Sequence, residues 1–182
     1  MSSHTQRDKK PFLTIREMTI FATLGTLMFC SKIIMEFAPN IHLLGMFTMM
    51  FTIVYGTKGL VPIYVFVMIT GLYAGFAPWW IPYLYTWAVL WGITMLVRRI
   101  PLKVGAFVFP LICALHGLAY GTLYAPSQAI LFGFDFRQTI AWIIAGLPWD
   151  ITHCIGNLIA GLLIAPLVSL LKKLDKNAYR YN

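Results

Sequence analysis

A chain of 182 residues of which 59% are hydrophobic and 11% charged is too apolar for an ordinary water-soluble domain. Its length holds at most about six membrane spans of about 20 apolar residues each, which excludes a separate soluble domain. The net charge of +8 does not point to nucleic acid, because Lys and Arg sit in short clusters between apolar runs, where they report membrane topology.

Residues 1–13 open on the polar, charged run Ser2 to Lys10, with no short apolar stretch leading to a small-residue cleavage site. They are expected to form a cytoplasmic tail rather than a removable signal peptide. The first span is predicted over 14–38. In it Ala22, Thr26 and Cys30 recur every four positions with Gly25 beside them, a surface that another helix can approach closely, from within the bundle or from another subunit. Near its far end Lys32 and Glu36 stand four residues apart on one face, as a self-neutralising ion pair or as ligand contacts. A second, short run over 41–56 follows Asn40 and includes His42, and a third covers 59–77. Between them Gly56-Thr57-Lys58-Gly59 lacks the upstream glycine of GxxxxGK[ST], so no ATP-binding loop is present.

The fourth span, 79–97, opens on Trp79, Trp80, Tyr83 and Tyr85, which suit either an interfacial aromatic belt or a ligand mouth. After the basic loop 98–103, the fifth span over 104–124 carries His116, Tyr120 and Tyr124 at a four-residue period, a pattern that core packing also produces. Residues 125–147 are ambiguous: 138–147 is apolar, yet it follows Asp135 and Arg137 and precedes Pro148. This segment reads as re-entrant or interfacial. The last span is predicted over 148–171, with Asp150, His153 and Asn157 on one stripe at spacings of three and four, and 172–182 forms a basic tail. Asp150 could also cap a helix start after Pro148, and His153 could be a satisfied core histidine.

The expected fold is therefore all-α, a single membrane domain with a six-helix bundle over 14–171 and both termini in the cytoplasm. With six spans, every basic residue except Lys32 and Arg137 falls on one side, which the positive-inside rule makes cytoplasmic. A five- or seven-span arrangement scrambles that pattern. Polar groups that are costly in lipid share the opposite end with aromatics able to cover an apolar ring face. Lys32, Glu36, Asn40 and His42, then Trp80, Tyr83 and Tyr85, then Asp150, His153 and Asn157, are the candidate lining of an outward-facing pocket. There is no HExxH, no clustered Cys/His set and no GxSxG elbow, and Cys30, Cys113 and Cys154 lack CxxC spacing. No catalytic residue, intrinsic cofactor or metal is expected, and uphill transport would draw its energy from a partner or an ion gradient.

The chain resembles the substrate-binding S components of energy-coupling factor transporters, the vitamin-uptake ABC systems of prokaryotes. The resemblance covers nearly the whole length. It rests on size, six helices with both ends inside, the early Ala22/Thr26 stripe, and the segments Pro39-Asn40-Ile41-His42-Leu43-Leu44-Gly45, Trp80-Ile81-Pro82-Tyr83-Leu84-Tyr85 and Gly146-Leu147-Pro148-Trp149-Asp150-Ile151-Thr152-His153. The lactobacillus-type cobalamin-specific branch is the most similar. What the resemblance implies is capture of a vitamin from outside, cobalamin first, with pantothenate, folate or a queuosine precursor as alternatives. Docking on a transmembrane T subunit that carries two cytoplasmic ATPases, and toppling in the plasma membrane to release the cargo, would follow. The family's docking motif is Ala-x-x-x-Ala on the first helix; here Thr26 replaces the second Ala, so Ala22, Gly25 and Thr26 are the candidate docking residues. Two other classes remain open. A secondary transporter would use Lys32, Glu36 or Asp150 as a proton site, and an intramembrane enzyme would use Glu36, His116, Asp150 and His153.

Overall fold

The computed structural model describes residues 12–175, so the two termini with Arg7, Lys9, Lys10, Lys176 and Arg180 lie outside the described residues. The described chain is helical, with no strand: α1 (Ile15–Ile34), α2 (Leu44–Tyr55), a 3-10 turn (Gly56–Gly59), α3 (Leu60–Ala74), a second 3-10 turn (Pro78–Trp80), α4 (Tyr83–Val97), α5 (Leu102–Leu118), α6 (Tyr120–Phe132), α7 (Phe136–Gly161) and α8 (Ile164–Leu174). Five stretches are long and apolar enough to cross a bilayer: Ile15–Ile34, Leu44–Ala74, Pro78–Val97, Leu102–Phe132 and Phe136–Gly161. The chain is a multi-pass, all-helical membrane protein.

Local chemistry sets the helix ends. Thr14 opens α1 with a capping box, its hydroxyl accepting from the Glu17 N–H while the Glu17 carboxylate accepts from the Thr14 N–H. Asp135 and Gln138 do the same for α7. Gly133, at φ 68°, closes α6 in the left-handed conformation that a helix C-terminus commonly takes. Within the spans Thr52, Thr70, Thr86 and Thr94 each donate to the carbonyl four residues back, so no hydroxyl among these four is left bare in an apolar interior.

The stretch Leu44–Ala74 folds back on itself at its 3-10 turn rather than running straight. Lys58 in the turn reaches Glu17 of α1 at 2.7 Å. Beyond that turn Gly25 of α1 packs on Pro62 and Val65, and Phe29 meets Tyr73 at 5.4 Å between ring centroids, so α3 runs parallel to α1. That arrangement requires α2 to descend between them. All twelve residues of α2 are buried, which is where a helix apolar all round belongs. α4 returns antiparallel to α3, tied by Trp80 Nε1 to the Val67 carbonyl and Trp91 Nε1 to the Gly56 carbonyl. At the close of the described chain Arg16 meets Asp175 at 3.3 Å, which brings the start of α1 and the end of α8 together.

Two boundaries differ from the sequence reading. Residues 125–147 form no separate re-entrant segment: 125–132 complete α6, and 136–147 are the first half of α7. Pro148, read as the start of the last span, lies inside α7, where its carbonyl accepts from Thr152 Oγ1 at 3.1 Å. The single run 148–171 is divided instead at Leu162 and Leu163, after which α8 buries Ile164 and Val168 and carries Lys172 and Lys173 in its last turn.

Candidate functional site

The stripe Asp150, His153, Asn157 of α7 faces inward, against α5 and α6. The contacts run in antiparallel register: the Gly121 N–H donates to Asp150 Oδ1 at 2.9 Å, Gly117 lies against the His153 carbonyl, Asn157 Nδ2 donates to the Cys113 carbonyl at 3.2 Å, and Gly161 lies against Pro110. The steps of three and four on each helix keep small residues of one opposite polar residues of the other. Gly121 leaves the room that Asp150 fills, since a Cβ there would sit 2.5 Å from Asp150 Oδ2 and would displace the carboxylate.

Above this seam three histidines and a group of aromatics pack together. Tyr120 lies 4.8 Å from the His153 ring and 5.3 Å from Tyr124; His42, from the 35–43 connection, lies 5.1 Å from His153. Trp87, fully buried on α4, touches His42, His116, Tyr83 and Tyr120. His116 Nε2 lies 3.1 Å from the Thr86 carbonyl, which can only accept, so that nitrogen carries the proton. Nδ1 of His42, His116 and His153, the Trp87 indole N–H and Asp150 Oδ2 are buried without a hydrogen-bond partner. Unpartnered buried polar atoms are uncommon in folded proteins and call for a reason.

Beside this cluster lies a cavity of about 320 Å³, bounded by Asn40, by Tyr120 and Tyr124 of α6, and by Trp142, Trp149, Asp150 and His153 of α7. Asn40 reaches it from a turn in which it adopts φ 63°, a conformation asparagine tolerates better than most residues. Among the described residues no group of three or more His, Cys, Asp or Glu is arranged to hold a metal.

The candidate residues divide. Asn40, Asp150 and His153 border the cavity, and His42 and Tyr83 belong to the aromatic cluster adjoining it. Asn157 sits deeper in the seam. Trp80 is held by Val67 and packs on Phe76, and Tyr85 donates its hydroxyl to the Leu123 carbonyl. Lys32 and Glu36 pair at 3.1 Å with the Glu36 side chain 55% exposed, and neither is among the residues that line the cavity. Trp87, Tyr120, Tyr124, Gly121 and Trp142 were not among the candidates. The four-residue period of His116, Tyr120 and Tyr124 carried a signal, whereas Trp142 lay hidden in the ambiguous segment.

The proposed docking stripe divides too. Gly25 is buried in the α1–α3 contact, with no room for a Cβ, so it does not belong to an outer surface. Ala22, Thr26 and Cys30 are exposed along one face of α1. At the other end of the molecule Arg98, Arg99 and Lys172 surround one cavity with Ile53. There burial and the neighbouring Arg99 hold the Arg98 guanidinium below its usual range, and burial and Arg98 do the same to the Lys172 ammonium.

Fold and site together define a helical multi-pass membrane protein with an open polar and aromatic cavity at one end and a basic cluster at the other. Comparison of the chain with known protein families, curated proteins and solved structures returns no match.

Proposed function

We propose that the chain is the substrate-binding S component of an energy-coupling factor importer, a six-span protein with both termini in the cytoplasm of a prokaryotic cell. It captures a vitamin-sized solute from outside and hands it on through a transmembrane T subunit driven by two cytoplasmic ATPases. The observation that carries this reading is the cavity beside Asp150 and His153, a concave aromatic site with buried, unpartnered hydrogen-bonding atoms at the end opposite the basic cluster. Small-molecule sites have this character. Six passes are supported by the parallel pairing of α1 and α3 and by the Arg16–Asp175 contact, and the basic cluster of Arg98, Arg99 and Lys172 suits a cytoplasmic face.

Size bears on the cargo. At about 320 Å³ the cavity lies at the lower end of the range for small-molecule sites, about 300–1,000 Å³. It supports a vitamin much smaller than cobalamin, whose corrin ring carries amide arms and a nucleotide loop. Proteoliposomes test the reading. Uptake of a labelled vitamin panel is expected only when this chain is reconstituted with a T subunit and its ATPases and ATP is supplied. Concentrative uptake by the chain alone, driven by an imposed proton gradient, overturns it in favour of a secondary transporter.

A further inference from the structure

The geometry points to a ligand class: the cavity takes a small organic cation, a protonated amine or charged ring nitrogen carried on a heteroaromatic ring. This rests on reading the cavity as the capture site.

Asp150 is 3% exposed, and only one of its carboxylate oxygens is engaged, Oδ1 by the Gly121 N–H at 2.9 Å. Oδ2 is buried, has no hydrogen-bond partner and belongs to a residue on the cavity wall. Among the described residues no Lys or Arg borders that cavity, and Lys32 is paired with Glu36. A buried acid in a membrane protein is costly unless a partner of opposite charge meets it, and neither a Lys or Arg nor the neighbouring His153, which makes no ion pair with Asp150, supplies one. A ligand cation would. Beside Asn40 and His153 the wall carries four aromatic side chains, Tyr120 and Tyr124 from α6 and Trp142 and Trp149 from α7. Tryptophan and tyrosine faces attract a desolvated cation, and they cover the flat face of a ring equally well. An acid for the charge and aromatic faces for the body make a recognition site for cationic rings. An anionic vitamin would meet Asp150 with like charge, and a corrin would not fit about 320 Å³.

The test uses the full chain purified in detergent and isothermal titration calorimetry. The probes are thiamine, pyridoxamine and 7-aminomethyl-7-deazaguanine as cations, with pantothenate as the anion and cyanocobalamin as the oversized ligand. At least one cation is expected to bind about tenfold or more tightly than either comparator. Asp150→Asn keeps an acceptor for the Gly121 N–H but removes the charge, and should weaken that cation about tenfold to a hundredfold, the loss of a charge-assisted hydrogen bond. Should that variant misfold, Trp142→Ala, at a half-buried position, is expected to weaken the same cation with an unchanged melting temperature. Preferred binding of pantothenate or cyanocobalamin overturns the cation assignment while leaving solute capture standing. Binding of none of the five overturns both. Unchanged cation affinity in well-folded Asp150→Asn and Trp142→Ala proteins also removes this cavity as the cation site.

Discussion

At the scale of single residues, position on the helix decides what a small side chain does. Gly25 and Ala22 are three apart on α1, yet Gly25 is wedged against α3 while Ala22 is exposed. A Cβ at Gly25 would lie 2.6 Å from Val65 Cβ and 2.7 Å from the Pro62 carbonyl, and backbone does not yield as a side-chain tip does. Gly25→Leu is expected to cost about 1–3 kcal/mol by overpacking, with a lowered melting temperature in detergent, while Ala22→Leu leaves it unchanged. Equal melting temperatures for the two variants would contradict the placement of Gly25. The sequence shows a cluster of small residues but not which of them a neighbouring helix uses, because a period of four describes the stripe Ala22, Thr26, Cys30 and says nothing about the partner of Gly25. The inward stripe Asp150, His153, Asn157 was legible for the opposite reason. Three costly polar residues at helical spacing leave one physical outcome in lipid, which is to face protein.

Among elements, the ends carry the polar ties. The Lys58–Glu17 pair, at 2.7 Å with side chains 21% and 14% exposed, holds the α2–α3 turn on α1. The Arg16–Asp175 pair, at 3.3 Å with 55% and 8%, links the first and last helices. Exposure separates their weights. Arg16→Ala is expected to cost less than about 1 kcal/mol, since an exposed guanidinium is screened by solvent and salt. Lys58→Ala removes a shorter, half-sheltered charge-assisted bond and should cost about 1–3 kcal/mol. Thermal unfolding of the two variants compares them, and a larger loss for Arg16→Ala would reverse the assignment. Element order was largely readable because apolar runs broken by charge or glycine locate helices, and the all-helical class holds among the described residues. What failed was the role of proline. Pro148 starts a helix in water-soluble sequences often enough to look like a boundary, but within α7 it is an interior residue, as membrane-spanning helices tolerate. With that boundary misplaced, residues 136–147 and the Trp142 they carry were severed from the site.

For the whole molecule, the division of labour is spatial. The cavity lies on α6, α7 and the 35–43 connection, while the exposed face Ala22, Thr26 and Cys30 belongs to α1, whose adjoining face is committed to α3 through Gly25. A surface of small side chains lets a partner helix approach closely, and in lipid such approach is driven by packing rather than by hydrophobic burial. Changing that face should therefore act on assembly and leave ligand capture alone. Thr26 favours the experiment, because its hydroxyl donates to the Ala22 carbonyl at 2.9 Å within its own helix, so removing it orphans no distant group. The Ala22→Trp, Thr26→Trp double variant is expected to fold, to retain the ligand affinity of the unmodified chain in calorimetry, and to lose most ATP-dependent uptake when reconstituted with the T subunit and ATPases. Loss of binding along with uptake would mean that the α1 face supports the cavity and does not dock a partner. Full uptake by a well-folded double variant would place the docking surface elsewhere.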